Sequence, residues 1–169
     1  HNLLPRYKHT YKLENVGLLI AGGWHTSGSD TQYINDLKQA SLSLLPNRCQ
    51  WIGYVPDEKL SIAYGAMNMV VYPSLQATES GALLTAIGHG KAVLTTSLPP
   101  FREKEEVGAL MTFTNVEDMA TKIKQILDDT ELRQKLEAGA KTYAESVSWN
   151  KVAQKHIELY ESVLSVKAD

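Results

Sequence analysis

A hydroxyl-rich loop at residues 74–81 carries residue types that could bind a ligand or do chemistry. Thr78 and Ser80 offer hydroxyls, Glu79 offers a carboxylate, and Gly81 leaves the backbone accessible just before an apolar run. The first amides of a helix have unpaired N–H groups and a partial positive charge, so with nearby hydroxyls they can hold an anion such as a diphosphate. An exposed helix end contributes only about 0.3–1 kcal/mol per charge, so several groups would have to cooperate. The same residue types also fit a simpler interpretation, in which the hydroxyls only cap the helix.

The residues on either side of this loop predict a strand, a helix and a second strand. Residues 69–72 form a short apolar run ended by Pro73, as expected for a strand buried on both faces of a parallel sheet. Residues 82–87 are small or apolar helix formers followed by two glycines, and residues 92–94 form another apolar run. In a parallel sheet the loop between such a strand and helix lies at the carboxyl edge, where ligands bind.

The same alternation of strand and helix begins near the start of the chain. It predicts an α/β fold, a Rossmann-like doubly wound parallel sheet with helices on both faces. The predicted strands are 16–21, 49–52, 69–72 and 92–94, and the predicted helices are 30–45, 57–66 and 82–87.

The last third of the chain changes to a helical period. Apolar residues recur within 116–127, 132–143 and 149–164, which predicts three amphipathic helices that pack on the sheet and on each other. Thr130 and Ser148 are suitable N-caps for the second and third of these helices. We therefore expect one domain covering residues 1–169, with a C-terminal helix within 147–169.

Composition narrows the classes of function. The chain has 169 residues, 43% of them hydrophobic, a formal charge of −2 and a pI of about 6.2. No global positive field is present to attract nucleic acid, so a nucleic-acid partner is not expected. A single cysteine, Cys49, permits no internal disulfide and is expected to be a core thiol, which favours a reducing, cytoplasmic location. No apolar run is long enough to span a membrane.

The residues at the predicted strand ends exclude several classes of α/β protein. They include no clustered aspartates and no Cys/His spacing, so the predicted site uses neither metal nor cofactor, unlike a response-regulator receiver or a phosphatase. The Gly-X-Gly-X-X-Gly fingerprint is absent from residues 22–28, which argues against a dinucleotide oxidoreductase. His25 in this glycine-flanked loop is either a ligand contact or a surface histidine, and His89 is expected to cap a helix C-terminus.

Three segments of the sequence resemble a known family. Residues 73–93 are similar to the donor-binding signature of retaining, GT-B type glycosyltransferases of family 4, and residues 51–60 and 148–153 are similar to two further landmarks in the same order. The resemblance covers about residues 16–165. It implies the carboxyl-terminal, nucleotide-sugar-binding half of a two-domain enzyme.

The resemblance also implies which residues contact the donor. Glu79 would contact the sugar hydroxyls and Thr85 the ribose, and these two are the candidate catalytic residues. A nucleotide-diphosphate sugar would be the substrate, without metal. The candidate donor-binding residues are Gly22, Gly23, Tyr54, Val55, Thr78, Ser80, Gly81, Ala82 and Leu83.

The sequence departs from the family in two ways. The family's pair of glutamates falls by register on Ala77 and Thr85, neither of which is acidic, and a helical threonine often bonds back to its own helix instead. The family's first strand, which precedes the arginine and lysine that hold the diphosphate, has no counterpart in residues 1–12. We therefore expect a sheet that lacks its first strand, and an N-terminal, acceptor-binding domain that is missing from this sequence.

The predicted function is that of the donor-binding domain of a hexosyltransferase in polysaccharide biosynthesis, which transfers a sugar to an acceptor hydroxyl with retention. The acceptor would be a glycan or a lipid-linked molecule, with the enzyme cytoplasmic or peripheral at the inner face of the membrane. This fragment alone is expected to be inactive. Two alternatives stay open: a non-catalytic Rossmann-like interaction module, and a related GT-B enzyme such as a sugar-nucleotide epimerase.

Overall fold

The computed structural model describes residues 16–22 and 31–166. The chain forms two compact units, with the division between Ala63 and Tyr64. Whether the units are one domain, as the sequence suggests, stays a prediction. The missing first strand was predicted from residues 1–12, and His25 and Gly23 lie in 23–30, so these three predictions fall outside the described residues.

The first unit contains a pair of parallel strands. Strand β1 (Leu18–Ala21) pairs with β2 (Cys49–Gly53), and helix α1 (Thr31–Leu44) connects them. The indole N–H of Trp51 donates to Ser41 Oγ at 2.9 Å, which ties β2 to α1. Helix α2 (Asp57–Gly65) follows β2 and ends just beyond the unit boundary. Cys49 is a free thiol in β2 and is half-buried. The prediction of a core thiol is wrong, because even the less exposed face of this strand, with Cys49 and Trp51, is only half-buried.

The second unit contains three parallel strands in the order β3-β4-β5. The central strand, β4, is almost completely buried. The strands run parallel because a helix connects each strand to the next. The elements are β3 (Met69–Tyr72), α3 (Gly81–Gly88), β4 (Ala92–Thr96), α4 (Pro99–Glu106), β5 (Met111–Phe113), α5 (Val116–Asp128), α6 (Thr130–Ser146) and α7 (Trp149–Val166).

Two hydrophobic clusters cover the two faces of this sheet. Alternate residues of β4 point to opposite sides, so Val93 joins one cluster while Ala92 and Leu94 join the other. The first cluster contains residues of α3, α4 and α6, and the second contains residues of α5 and α6. The predicted α/β class, with parallel strands and helices on both faces, is therefore confirmed.

Most predicted elements are present within a residue or two of their predicted bounds. Helix α4 and strand β5 were not predicted, because α4 combines two prolines with charged residues and β5 has only three residues. The prediction of Thr130 as N-cap is wrong: Asp129 caps α6, and its Oδ1 accepts from the Leu132 amide at 2.9 Å. His89 is the C-cap of α3, as predicted, and its Nδ1 lies 2.8 Å from the Thr85 carbonyl oxygen.

The outer edge of β5 is occupied by two side chains. The Glu105 carboxylate accepts from the amide of Thr112 at 2.7 Å and from its hydroxyl at 2.6 Å. The carbonyl oxygen of Thr112 accepts from Lys122 Nζ at 2.7 Å. The backbone groups of Thr112 are therefore paired although β5 has a strand on one side only among the described residues.

Asp118, in the first turn of α5, stabilises the fold when it is ionised, and this stabilisation is lost at acid pH. The Thr114 amide lowers the pKa of this carboxyl below its ordinary value of 3.8, burial opposes the shift, and Lys122 lowers the pKa further. A carboxyl with a lowered folded-state pKa contributes stability above about pH 4 and loses it as the pH falls. We expect Asp118→Asn to be less stable than the parent at pH 7, with the difference shrinking towards pH 2. Urea unfolding at both pH values measures this, and a difference that does not change with pH would contradict it.

Candidate functional site

Ser80 fixes the start of helix α3 at the carboxyl end of β3. Its backbone is extended, with φ −141° and ψ 116°, and its Oγ accepts from the Leu83 amide at 3.2 Å. The same hydroxyl donates to the Tyr72 hydroxyl oxygen at 2.8 Å. The capping interpretation is thus confirmed for Ser80, and Tyr72 is a partner that the sequence analysis missed.

The first two amides of α3, those of Gly81 and Ala82, remain without an intrahelical acceptor. Ser80 Oγ takes the Leu83 amide, and the Ser80 carbonyl takes the Leu84 amide at 3.0 Å. Gly81 and Ala82 are exposed, and a Cβ added at Gly81 would meet nothing within 4 Å. The helix start is therefore open to a ligand.

Of the three helices that follow strands in this unit, α3 has the N-terminus best suited to an anion. Its first turn contains no acidic residue. Helix α4 begins with Pro99 and Pro100, which have no amide hydrogen, and α5 carries Glu117 and Asp118 in its first turn. Because acidic side chains and missing N–H groups both oppose anion binding, α3 is the favoured position.

Glu79 is held in place by a buried lysine. Lys104 Nζ lies 3.0 Å from Glu79 Oε2, with the lysine side chain 6% exposed and the glutamate side chain 51% exposed. The ammonium group also donates to the Pro100 carbonyl at 3.2 Å and lies 5.8 Å from the centre of the Tyr143 ring. Glu79 Oε1 accepts from the Ser80 amide at 3.1 Å. The pair therefore ties α4 to the residue that caps α3.

The remaining predicted residues of this loop and helix are placed as follows. The Thr85 hydroxyl donates to the Gly81 carbonyl at 2.8 Å, which is the back-bonded alternative left open by the sequence. Thr78 is exposed, whereas the Leu83 side chain is completely buried in the core. Ala77, at the position of a family glutamate, is half-buried against the same core.

The predicted donor contacts of the first unit lie after its two strands. The Gly22 amide donates to the Gly53 carbonyl at 2.8 Å, and Tyr54 is 70% exposed with Val55 half-buried beside it. Their contacts with a donor stay a prediction, because they belong to a different unit from α3.

Residues 16–22 and 31–166 contain no group of three His, Cys, Asp or Glu side chains that could hold a metal ion. Within the same ranges, no helix is both long and apolar enough to cross a membrane.

A parallel sheet covered on both faces, with an open helix start at its carboxyl edge, defines a Rossmann-like α/β domain. The chain belongs to the family described as glycosyl transferases group 1, whose model matches residues 1–143. Its fold is that of a GT-B glycosyltransferase domain.

Individual relatives agree with this family. The chain is 27% identical over 113 residues to an O-antigen chain mannosyltransferase B of Escherichia coli, covering 66% of this chain and 30% of the relative. It is 26% identical over 157 residues to an uncharacterized glycosyltransferase of Methanocaldococcus jannaschii, covering 90% of this chain and 38% of the relative. The chain thus spans about a third of the length of the curated relatives it matches.

A solved structure of similar fold is that of Anabaena HepE in complex with UDP. The TM-score is 0.74 at 20% sequence identity, with 95% of this chain and 44% of that chain covered. The same protein has also been solved in complex with UDP-glucose.

Proposed function

We propose that this chain is the donor-binding domain of a glycosyltransferase that transfers a sugar from a nucleotide-diphosphate sugar to an acceptor hydroxyl, with retention and without a metal ion. The observation that carries the proposal is at the start of α3, where Gly81 and Ala82 are exposed and their amides have no acceptor within the helix. Preorganised N–H groups at this position would stabilise the negative charge that develops on the leaving diphosphate. The UDP and UDP-glucose complexes of the HepE relative support the choice of donor class.

The proposed roles of the side chains follow from the bonds they already make. Glu79 would accept from the sugar hydroxyls, because each carboxylate oxygen can accept more than the one bond it has here. Thr85 would accept from the ribose while its own hydrogen stays on the Gly81 carbonyl. The Leu83 amide donates to Ser80 Oγ, and this bond would hold the start of α3 in position for the donor. Thr78 would lie beside the helix start.

The rest of the proposal concerns groups beyond this helix. Gly22 and Gly23 would allow the donor to approach the backbone, and Tyr54 with Val55 would contact the base. The acceptor, a glycan or a lipid-linked molecule, would be bound with an N-terminal domain of the same protein. A reducing, cytoplasmic location, inferred from the single cysteine, belongs to the same proposal.

Replacing Gly81 tests the proposed phosphate contact directly. Proline is tolerated at the first helical position and removes the amide hydrogen, and the extended Ser80 backbone suits a residue before proline. Alanine keeps the amide and fits the open space. In the full-length protein we expect Gly81→Pro to weaken the binding of the UDP- or GDP-sugar that binds the parent by about tenfold, and Gly81→Ala to change it little.

Calorimetric titration of UDP, GDP and their sugars provides the measurement, and circular dichroism checks that both variants keep their helices. Equal affinity of the proline and alanine variants would overturn the role of this amide. If none of the nucleotides binds the parent saturably, the donor proposal fails and the non-catalytic interaction module is favoured. Transfer that depends on an added acceptor separates a transferase from an epimerase.

A further inference from the structure

A cavity lies at the carboxyl edge of the sheet of the second unit, where β3, β4 and β5 end. Its volume is about 350 Å³, within the range of small-molecule sites. We call it the carboxyl-edge pocket, and its lining contains none of the residues 78–85 proposed to bind the donor. The lining residues are Ser74, Leu75, Thr96, Ser97, Leu98, Arg102, Phe113 and Thr114.

Hydrogen bonds between the strand ends preform this pocket. Thr96 Oγ1 donates to the Ser74 carbonyl at 2.5 Å, which links the ends of β3 and β4. The Ser97 amide donates to the Phe113 carbonyl at 2.9 Å, which links the ends of β4 and β5. Phe113 is buried and forms an apolar wall with Leu98. The pocket therefore combines fixed polar backbone with an apolar surface, a combination that suits a sugar ring.

Arg102 is the ionisable residue of the lining, and it is exposed. Within the described residues no ion pair or side-chain hydrogen bond is found for its guanidinium group. The carboxylate tied to the lining, Asp118, accepts from Thr114 and pairs with Lys122 at 3.1 Å, so its charge is already compensated. A planar guanidinium group with free N–H donors recognises phosphate or carboxylate by paired hydrogen bonds.

We propose that the carboxyl-edge pocket binds an anionic sugar unit of the acceptor, with Arg102 holding its phosphate or carboxylate group. The hydroxyl of Ser97 and the apolar wall of Leu98 and Phe113 contact the ring. This inference rests on the proposed function, since it assigns the donor to the start of α3 and the acceptor to the neighbouring pocket on the same edge. It defines the acceptor class as phosphorylated or acidic saccharides.

Titration of simple probes into the full-length protein tests the pocket. Glucose 6-phosphate and glucuronate are the two anionic probes, glucose is the neutral control, and inorganic phosphate tests whether the ring is needed. We expect one or both anionic sugars to bind saturably, with glucose and inorganic phosphate at least about tenfold weaker. Binding of glucose 6-phosphate alone identifies a phosphorylated acceptor, and binding of glucuronate alone identifies an acidic sugar.

Variants of Arg102 assign the binding to this side chain. We expect Arg102→Gln to weaken the anionic probe by about tenfold, and Arg102→Lys to give an intermediate loss because an ammonium group cannot form the paired bonds. Lys135→Gln removes the same charge from an exposed residue outside the lining and should leave the affinity unchanged.

Nucleotide binding separates this proposal from the donor proposal. Arg102→Gln should bind the donor nucleotide as the parent does, because Arg102 lies outside the proposed donor contacts. Anionic sugars that bind Arg102→Gln as well as the parent, or that do not bind the parent, overturn the pocket and leave the donor proposal standing. Anionic-sugar binding that depends on Arg102, in a protein that binds no nucleotide, overturns the donor proposal and keeps the pocket as an acidic-sugar site.

Discussion

Gly139→Ala should destabilise the second unit by about 3 kcal/mol, near the upper end of the range for overpacking a core. Gly139 lies in the middle of α6, where alanine would ordinarily add up to about 1 kcal/mol of helix stability. Here a Cβ would lie 1.9 Å from the Gly108 carbonyl oxygen and 2.8 Å from its carbon. Both are backbone atoms of the turn between α4 and β5 and cannot rotate away, so α6 would have to shift.

That shift would disturb both hydrophobic clusters, because Ala140 packs in one and Leu136 in the other. Urea unfolding followed by circular dichroism measures the free energy of unfolding. Gly65→Ala is the matched control, since a Cβ there meets nothing within 4 Å, and we expect a change within about 0.5 kcal/mol. A Gly139→Ala variant as stable as the parent would show that α6 and this turn are not in close contact.

Glu79→Ala should lower the free energy of unfolding by about 2 kcal/mol, which is more than removal of its partner Lys104 should. The substitution leaves the Lys104 ammonium group buried, where among the described residues it keeps the Pro100 carbonyl and the Tyr143 ring. Breaking a fully buried pair from one side costs about 3–5 kcal/mol, and the 51% exposure of Glu79 reduces this. Lys104→Met instead leaves the Glu79 carboxylate, which water can reach, and the methionine side chain fills a volume similar to that of lysine. We therefore expect the free energy of unfolding to fall by less than about 1 kcal/mol.

The order of these two losses distinguishes the buried lysine from an ordinary surface ion pair. Unfolding free energies of both single variants and the double variant give the interaction energy directly. As a control, Lys124→Met removes one partner of the exposed pair between Lys124 and Asp128 and should change stability by less than about 0.5 kcal/mol. If Lys104→Met is the more destabilising of the two, the desolvation argument is wrong.

Local sequence signals predicted the helix start but not the residues that support it. The apolar run of β3, Pro73 and the hydroxyl at Ser80 act on residues next to them, so the strand, the loop and the cap could be predicted. The pair between Glu79 and Lys104 joins residues 25 positions apart. It depends on α4, whose two prolines and many charges do not indicate a helix with a buried lysine.

Most of the fold could be predicted because each strand through β4 is an apolar run between turn residues. β5 could not, since three residues carry no usable period and their strand pairing depends on β4. The carboxyl-edge pocket was missed for the same reason: its lining comes from the ends of three strands, and one of them was not predicted. Arg102 therefore had no assigned surroundings in the sequence.

The two side chains that pair with Thr112 also affect how the protein behaves at high concentration. A bare strand edge can recruit another polypeptide by intermolecular β-addition, the first step of many aggregates. At β5 an incoming chain would have to displace Glu105 and Lys122 before it could bond to Thr112. This margin of the sheet therefore resists fibril growth.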